Sequence, residues 1–123
     1  MAGPAKSGAF LYAHDVSVLV DFYSMLLGAK SVRQTPDFTI LACEGLQLIV
    51  HELPDGIDVP PSLELPRESS IKLFFSVESL EVANQRLIEL GGKTMQEVWS
   101  NSLFSVRNAV DPEGNIFQLR EFN

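Results

Sequence analysis

Asp15–Lys30, DVSVLVDFYSMLLGAK, and Ser79–Thr94, SLEVANQRLIELGGKT, read as two copies of one element. Shifted by 64 residues, Val16 falls on Leu80, Val18 on Val82, Leu19 on Ala83, Tyr23 on Leu87, Leu26 on Leu90 and Gly28 on Gly92. Each stretch has the spacing of an amphipathic helix closed by glycine. Further on the offset grows to 69. Glu44-Gly45 then falls on Glu113-Gly114, and Leu46–Val50 on Asn115–Leu119. Such self-similarity predicts two copies of one supersecondary unit, and it points to the strands of each copy as the lining of a ligand cavity.

Working outward, the first copy reads βαβββ. Ala9–Ala13 is a short apolar run and predicts a buried strand; Asp15 is placed to cap the helix that follows. Lys30–Gln34, Phe38–Cys43 and Leu46–His51 are separated by turn residues and predict three strands. Leu53–Ser70 holds Pro54, Pro60, Pro61 and Pro66, a density that blocks helix and central strand alike. This segment is expected to link the modules. The second copy predicts strand Ile71–Val77, helix Leu80–Leu90, and strands Lys93–Val98, Leu103–Val110 and Ile116–Phe122. In DPEGN, Asp111–Asn115, proline pre-sets φ, glycine supplies φ > 0, and the polar side chains bond the local backbone. The expected fold is α+β: a single domain over 1–123, with module one at 8–52, a linker at 53–70 and module two at 71–122.

The chain has 123 residues, 46% hydrophobic and 20% charged, which suits one compact domain. No apolar run approaches the ~20 residues of a membrane span, so no membrane partner is expected. MAGPAKSGAF has no hydrophobic signal core, and Cys43 is the single cysteine. Both fit a cytoplasmic setting without an intrachain disulfide. The net charge of −7 argues against a nucleic-acid partner, which demands a cationic face.

The paired βαβββ modules, the helix pattern of Asp15, Phe22-Tyr23 and Leu27-Gly28, and the closing DPEGNIFQL together resemble the vicinal oxygen chelate superfamily. That superfamily holds glyoxalase I, extradiol dioxygenases, fosfomycin resistance enzymes and bleomycin resistance proteins. The resemblance implies that each module curls its strands into a half-barrel cleft. In metal-dependent members, ligands come from the first and last strand of each module. On the pattern of the superfamily those positions are Gly8, Ile49, Lys72 and Gln118. Glycine and isoleucine offer no donor atom, a lysine ammonium has no lone pair, and glutamine offers a neutral amide oxygen. A zinc site needs at least three ligands, so no metal and no cofactor are expected.

Other groups carry open alternatives. His51 lies two residues beyond Ile49, so strand alternation aims it at the same face. It is either a base or ligand contact in the cleft or a strand-end histidine in solvent. His14 reads as a surface residue, and Cys43 as a small core residue. Lys72 either holds a carboxylate or phosphate in the cleft or points outward. Phe38, Phe74 and Phe104 lie on predicted strands, where aromatic slabs can line a cavity or fill the core. Trp99 lies in Gln96–Ser102, where the extra residues of the second copy are expected to enlarge a hairpin; there it is either part of a lid over the ligand or a core residue. Phe38 falls where bleomycin resistance proteins carry an aromatic residue lining the drug groove.

Those proteins are the nearest in character, being short and acidic, lacking metal ligands, and binding a bulky drug between two subunits. The resemblance therefore implies a metal-free homodimer that sequesters a small, partly aromatic molecule, as in antibiotic resistance. The ligand-binding residues expected are Phe38, Ile49, His51, Lys72, Phe74, Trp99, Phe104 and Gln118. The alternative is a glyoxalase-like lyase or a dioxygenase. Its metal would be displaced to residues such as His51, Glu52 or Gln118, or metal-free acid–base chemistry would run on His51 or Lys72.

Overall fold

A computed structural model describes residues 7–57, 66 and 70–122. The chain divides into two compact units, Met1–Val59 and Pro60–Asn123. Each has the order βαβββ, so the fold is α+β, built from two copies of one module. No helix among the described residues is long and apolar enough to cross a membrane.

In the first unit, β1 (Gly8–Ala13) leads into α1 (Val16–Leu27), followed by β2 (Lys30–Gln34), β3 (Phe38–Cys43) and β4 (Leu46–Glu52). The sheet order is β1-β4-β3-β2. The helix carries the chain to the far edge, and two hairpins bring it back. β4 thus lands parallel to β1, while the other pairs are antiparallel. Helix α1 starts where the Asp15 carboxylate accepts the Val18 N–H at 3.3 Å and the Ser17 hydroxyl at 2.7 Å. It ends at Gly28, whose φ of 66° suits a residue without Cβ. Leu19, Phe22, Tyr23 and Leu26 form its buried stripe. They cover one side of the sheet, where Ala13, Leu41, Leu48 and Val50 are also buried. Burying each large side chain contributes about 1.5–3 kcal/mol.

The second unit runs β5 (Phe74–Ser76), α2 (Leu80–Glu89), β6 (Lys93–Ser100), β7 (Phe104–Val110) and β8 (Ile116–Phe122), in sheet order β5-β8-β7-β6. Helix α2 is capped twice. The Ser79 hydroxyl accepts the Val82 N–H at 3.2 Å, and the Glu121 carboxylate accepts the Leu80 N–H at 2.7 Å. Ala83 and Leu87 of α2 and Phe117 and Leu119 of β8 belong to the buried core. The DPEGN turn is held by buried Asp111, whose carboxylate accepts the backbone N–H groups of Glu113 (2.9 Å) and Asn115 (3.0 Å) and the Asn115 side-chain amide (2.8 Å).

The two sequence offsets are registers in space. Phe10 faces Ile49 and Tyr12 faces His51 across β1 and β4. Their counterparts, 64 and 69 residues on, face each other in the same way: Phe74 with Gln118 and Ser76 with Arg120.

Two expectations need correction. The first strand of the second unit is Phe74–Ser76, not Ile71–Val77, so Lys72 precedes it. Trp99 lies in strand β6, opposite Val106 on β7, and not in an enlarged lid. The extra residues instead lengthen β6, which shifts register between Thr94 and Val98 and so absorbs part of the insertion as a bulge. Of the proline-rich linker, residues 58–65 and 67–69 lie outside the described residues.

Candidate functional site

Each sheet has one side covered by its helix and one open side, because strand residues alternate. The open sides carry the candidate residues. On the first sheet, Phe38 and His51 are cross-strand partners on β3 and β4. Their rings stack nearly parallel, 5.7 Å between centroids and 6° apart. Tyr12 meets His51 edge-on at 6.0 Å, and Phe10 stacks on Tyr12 at 6.0 Å. Ile49 sits between Phe10 and Ile40 in the register of the sheet. Phe10 and Tyr12 remain 56% and 45% exposed, a large aromatic surface for a face without a covering helix. The backbone carbonyl of Glu52 lies 2.7 Å from His51 Nδ1. A carbonyl only accepts, so Nδ1 donates and the neutral ring keeps its lone pair on Nε2.

The second sheet brings together Phe74, Phe104 and Gln118, and adds a residue that the sequence patterns did not single out. Arg120 on β8 lays its guanidinium 4.0 Å from the Phe74 ring centroid and 4.9 Å from that of Phe104. Its Nε donates to Gln118 Oε1 at 3.0 Å. Arg120 is the repeat mate of His51 and lies two residues beyond Gln118. The alternation that placed His51 two beyond Ile49 was therefore the available signal. Lys72 is exposed, and its ammonium donates to Asn108 Oδ1 at 3.4 Å. Asn108 faces Gln118 across β7 and β8. Beside Trp99, which is 47% exposed, a shallow depression of about 580 Å³ is lined by Lys93–Glu97, Trp99 and Asn108.

The positions that hold ligands in metal-dependent members of the superfamily do not fit a divalent ion here. A Cβ at Gly8 would lie 2.7 Å from the Gln47 carbonyl oxygen, so any side chain there requires the β1–β4 backbone to move. Ile49 presents only alkyl carbon. The Lys72 ammonium is a hydrogen-bond donor, and the Gln118 amide oxygen already accepts from a guanidinium. His51 and Glu52 are consecutive strand residues and point to opposite faces, so they do not converge on one ion. Among the described residues no group of three or more His, Cys, Asp or Glu is placed to hold a metal.

Asp15 and Cys43 have displaced acidities. Hydrogen bonds from Ser17 and Val18 hold the Asp15 carboxyl below its ordinary value, and burial pushes the Cys43 thiol up. A raised thiol pKa leaves little thiolate at neutral pH, in keeping with a structural cysteine.

A family model described as "Glyoxalase-like domain" matches residues 9–120. No curated protein sequence matches significantly. Solved structures do. A glyoxalase/bleomycin resistance protein/dioxygenase family enzyme from Burkholderia phytofirmans PsJN superposes with a TM-score of 0.74 at 14% identity, covering 98% of this chain and 100% of that one. A glyoxalase/bleomycin resistance protein from Albidiferax ferrireducens T118 has a TM-score of 0.70 at 17% identity, with 94% and 97% covered. The fosfomycin resistance protein FosX from Listeria monocytogenes has a TM-score of 0.72 at 13% identity, with 100% and 94% covered. At these identities the likeness is one of fold.

Proposed function

This chain belongs to the glyoxalase-like domain family, and we propose that within it the chain is a metal-free binding protein that sequesters a partly aromatic small molecule. The observation that carries this reading is the open face of the first sheet. There Phe10, Tyr12, Phe38 and His51 form a ring cluster that leaves two large aromatic side chains about half exposed. Flat rings favour offset or edge-on contact with a flat ligand. The donor set at Gly8, Ile49, Lys72 and Gln118 supports the metal-free part. The resistance proteins among the structural neighbours support a drug-like ligand. In this reading the working form is a homodimer in the cytoplasm, and the ligand is held without being transformed.

The test is a titration of chelator-treated protein with 2-naphthamide, a flat neutral probe, followed by amide chemical shifts. The expected result is saturable binding with shifts at Phe10, Tyr12, Phe38 and His51. Phe38→Ala should weaken it roughly fivefold or more. Absence of saturation, or shifts that spare these strands, would overturn the reading. Turnover of a substrate that depends on His51 would move the protein to the enzymes of the family.

A further inference from the structure

We infer that the open face of the second sheet carries an oxyanion site of its own, in which Arg120 receives the carboxylate or phosphate group of a small aromatic ligand. This site goes beyond the binding reading above, which stands on the first sheet. Arg120 is half-buried, its guanidinium carbon 4.0 Å from the Phe74 ring centroid and 4.9 Å from that of Phe104. Rings from the strands on either side of β8 restrain the guanidinium without using its hydrogen-bond donors. Nε is spent on Gln118, a neutral partner, at 3.0 Å. No carboxylate accepts from the terminal nitrogens among the described residues. A guanidinium that is partly desolvated and lacks an anion is costly, and it becomes favourable when an anion arrives.

The terminal nitrogens form the planar fork that binds carboxylate or phosphate through two parallel hydrogen bonds. Lys72 adds a second cation on the same side of the sheet, tied to Asn108, the cross-strand partner of Gln118. In a chain of net charge −7, two cations gathered on one sheet face stand against the general field. Phe74, 53% exposed, supplies apolar surface beside the guanidinium for the body of the ligand. The repeat sharpens the contrast: where the first unit has His51 stacked on Phe38, the second has a permanent cation close to two rings.

The experiment compares three probes that share one ring system: 2-naphthoate, 2-naphthyl phosphate and the neutral 2-naphthamide. Binding is measured by calorimetry and by the Arg120 Nε resonance. One or both anions are expected to bind at least roughly tenfold tighter than the amide and to shift that resonance. The tighter anion identifies the source of the oxyanion. Arg120→Met keeps length and apolar contact and should abolish the preference. Arg120→Lys keeps charge without the fork and should retain only part of it, which guards against a folding defect in the first variant. Equal affinity for the three probes, or an anion preference that survives in Arg120→Met, would overturn the oxyanion site and leave the aromatic binding reading standing. Failure of all three probes to bind would overturn both.

Discussion

His51 and Arg120 occupy equivalent places in the two copies, and the difference between them sets what each face can hold. An imidazole can offer an acceptor nitrogen, whereas a guanidinium offers donors alone. Other single residues test the frame beneath. Asp111 has no exposed surface and its carboxylate accepts three hydrogen bonds within the turn. Asp111→Ala should cost about 3 kcal/mol in chemical denaturation, because it strands two backbone N–H groups in a buried turn. Asp15 acts with a definite sign. Its folded-state pKa lies below the ordinary 3.8, so its contribution is present at neutral pH and fades as pH falls through the lowered value. Asp15→Asn keeps the cap acceptor, so the gap in thermal midpoint between it and the parent should close progressively on acidification. Cys43, with its thiol pushed up by burial, should react with an aromatic disulfide reagent far more slowly than free cysteine at pH 7.

At the scale of elements, nearly all helices and strands are legible from sequence. Cap residues and turns announce themselves through local chemistry: Asp15 and Ser79 start helices, Gly28 stops one, and DPEGN turns the chain before the last strand. Pairing is not legible in the same way. The Ile71–Val77 run looks like a strand of seven residues, yet only Phe74–Ser76 joins the sheet, so Lys72 stays outside it. Trp99 reads as a lid residue because an insertion has to fall nearby; a bulge lets β6 absorb part of it and keep Trp99 paired with Val106. Candidate site residues are legible where alternation applies, as for Phe38, His51, Phe74, Phe104 and Gln118. Arg120 obeys the same rule, but its role depends on rings from two other strands, β5 and β7, meeting over it. That is a tertiary fact. The elements also reveal their own weak point. Leu87 of α2 is fully buried, and Leu87→Ala should destabilise the second unit by about 2–5 kcal/mol through lost burial and a cavity.

At the scale of the whole molecule, a fold used elsewhere in its superfamily for metal-assisted chemistry serves, on the reading proposed above, as a binding scaffold. Both sheets leave an open side, and exposed aromatic residues of the two units include Phe10, Phe74, Trp99 and Phe122. A second copy of the chain would cover part of that surface. Sedimentation equilibrium at micromolar concentration should therefore give about twice the 13.6 kDa chain mass; a mass near that of one chain would remove the dimer from the account. The most direct measurement of the metal-free binding reading is calorimetric titration of 2-naphthoate into protein stripped by a strong chelator, repeated after adding back nickel, zinc, iron or manganese. Affinity that is the same in every case is the expected result. Binding that vanishes on stripping and returns with one equivalent of metal would contradict it.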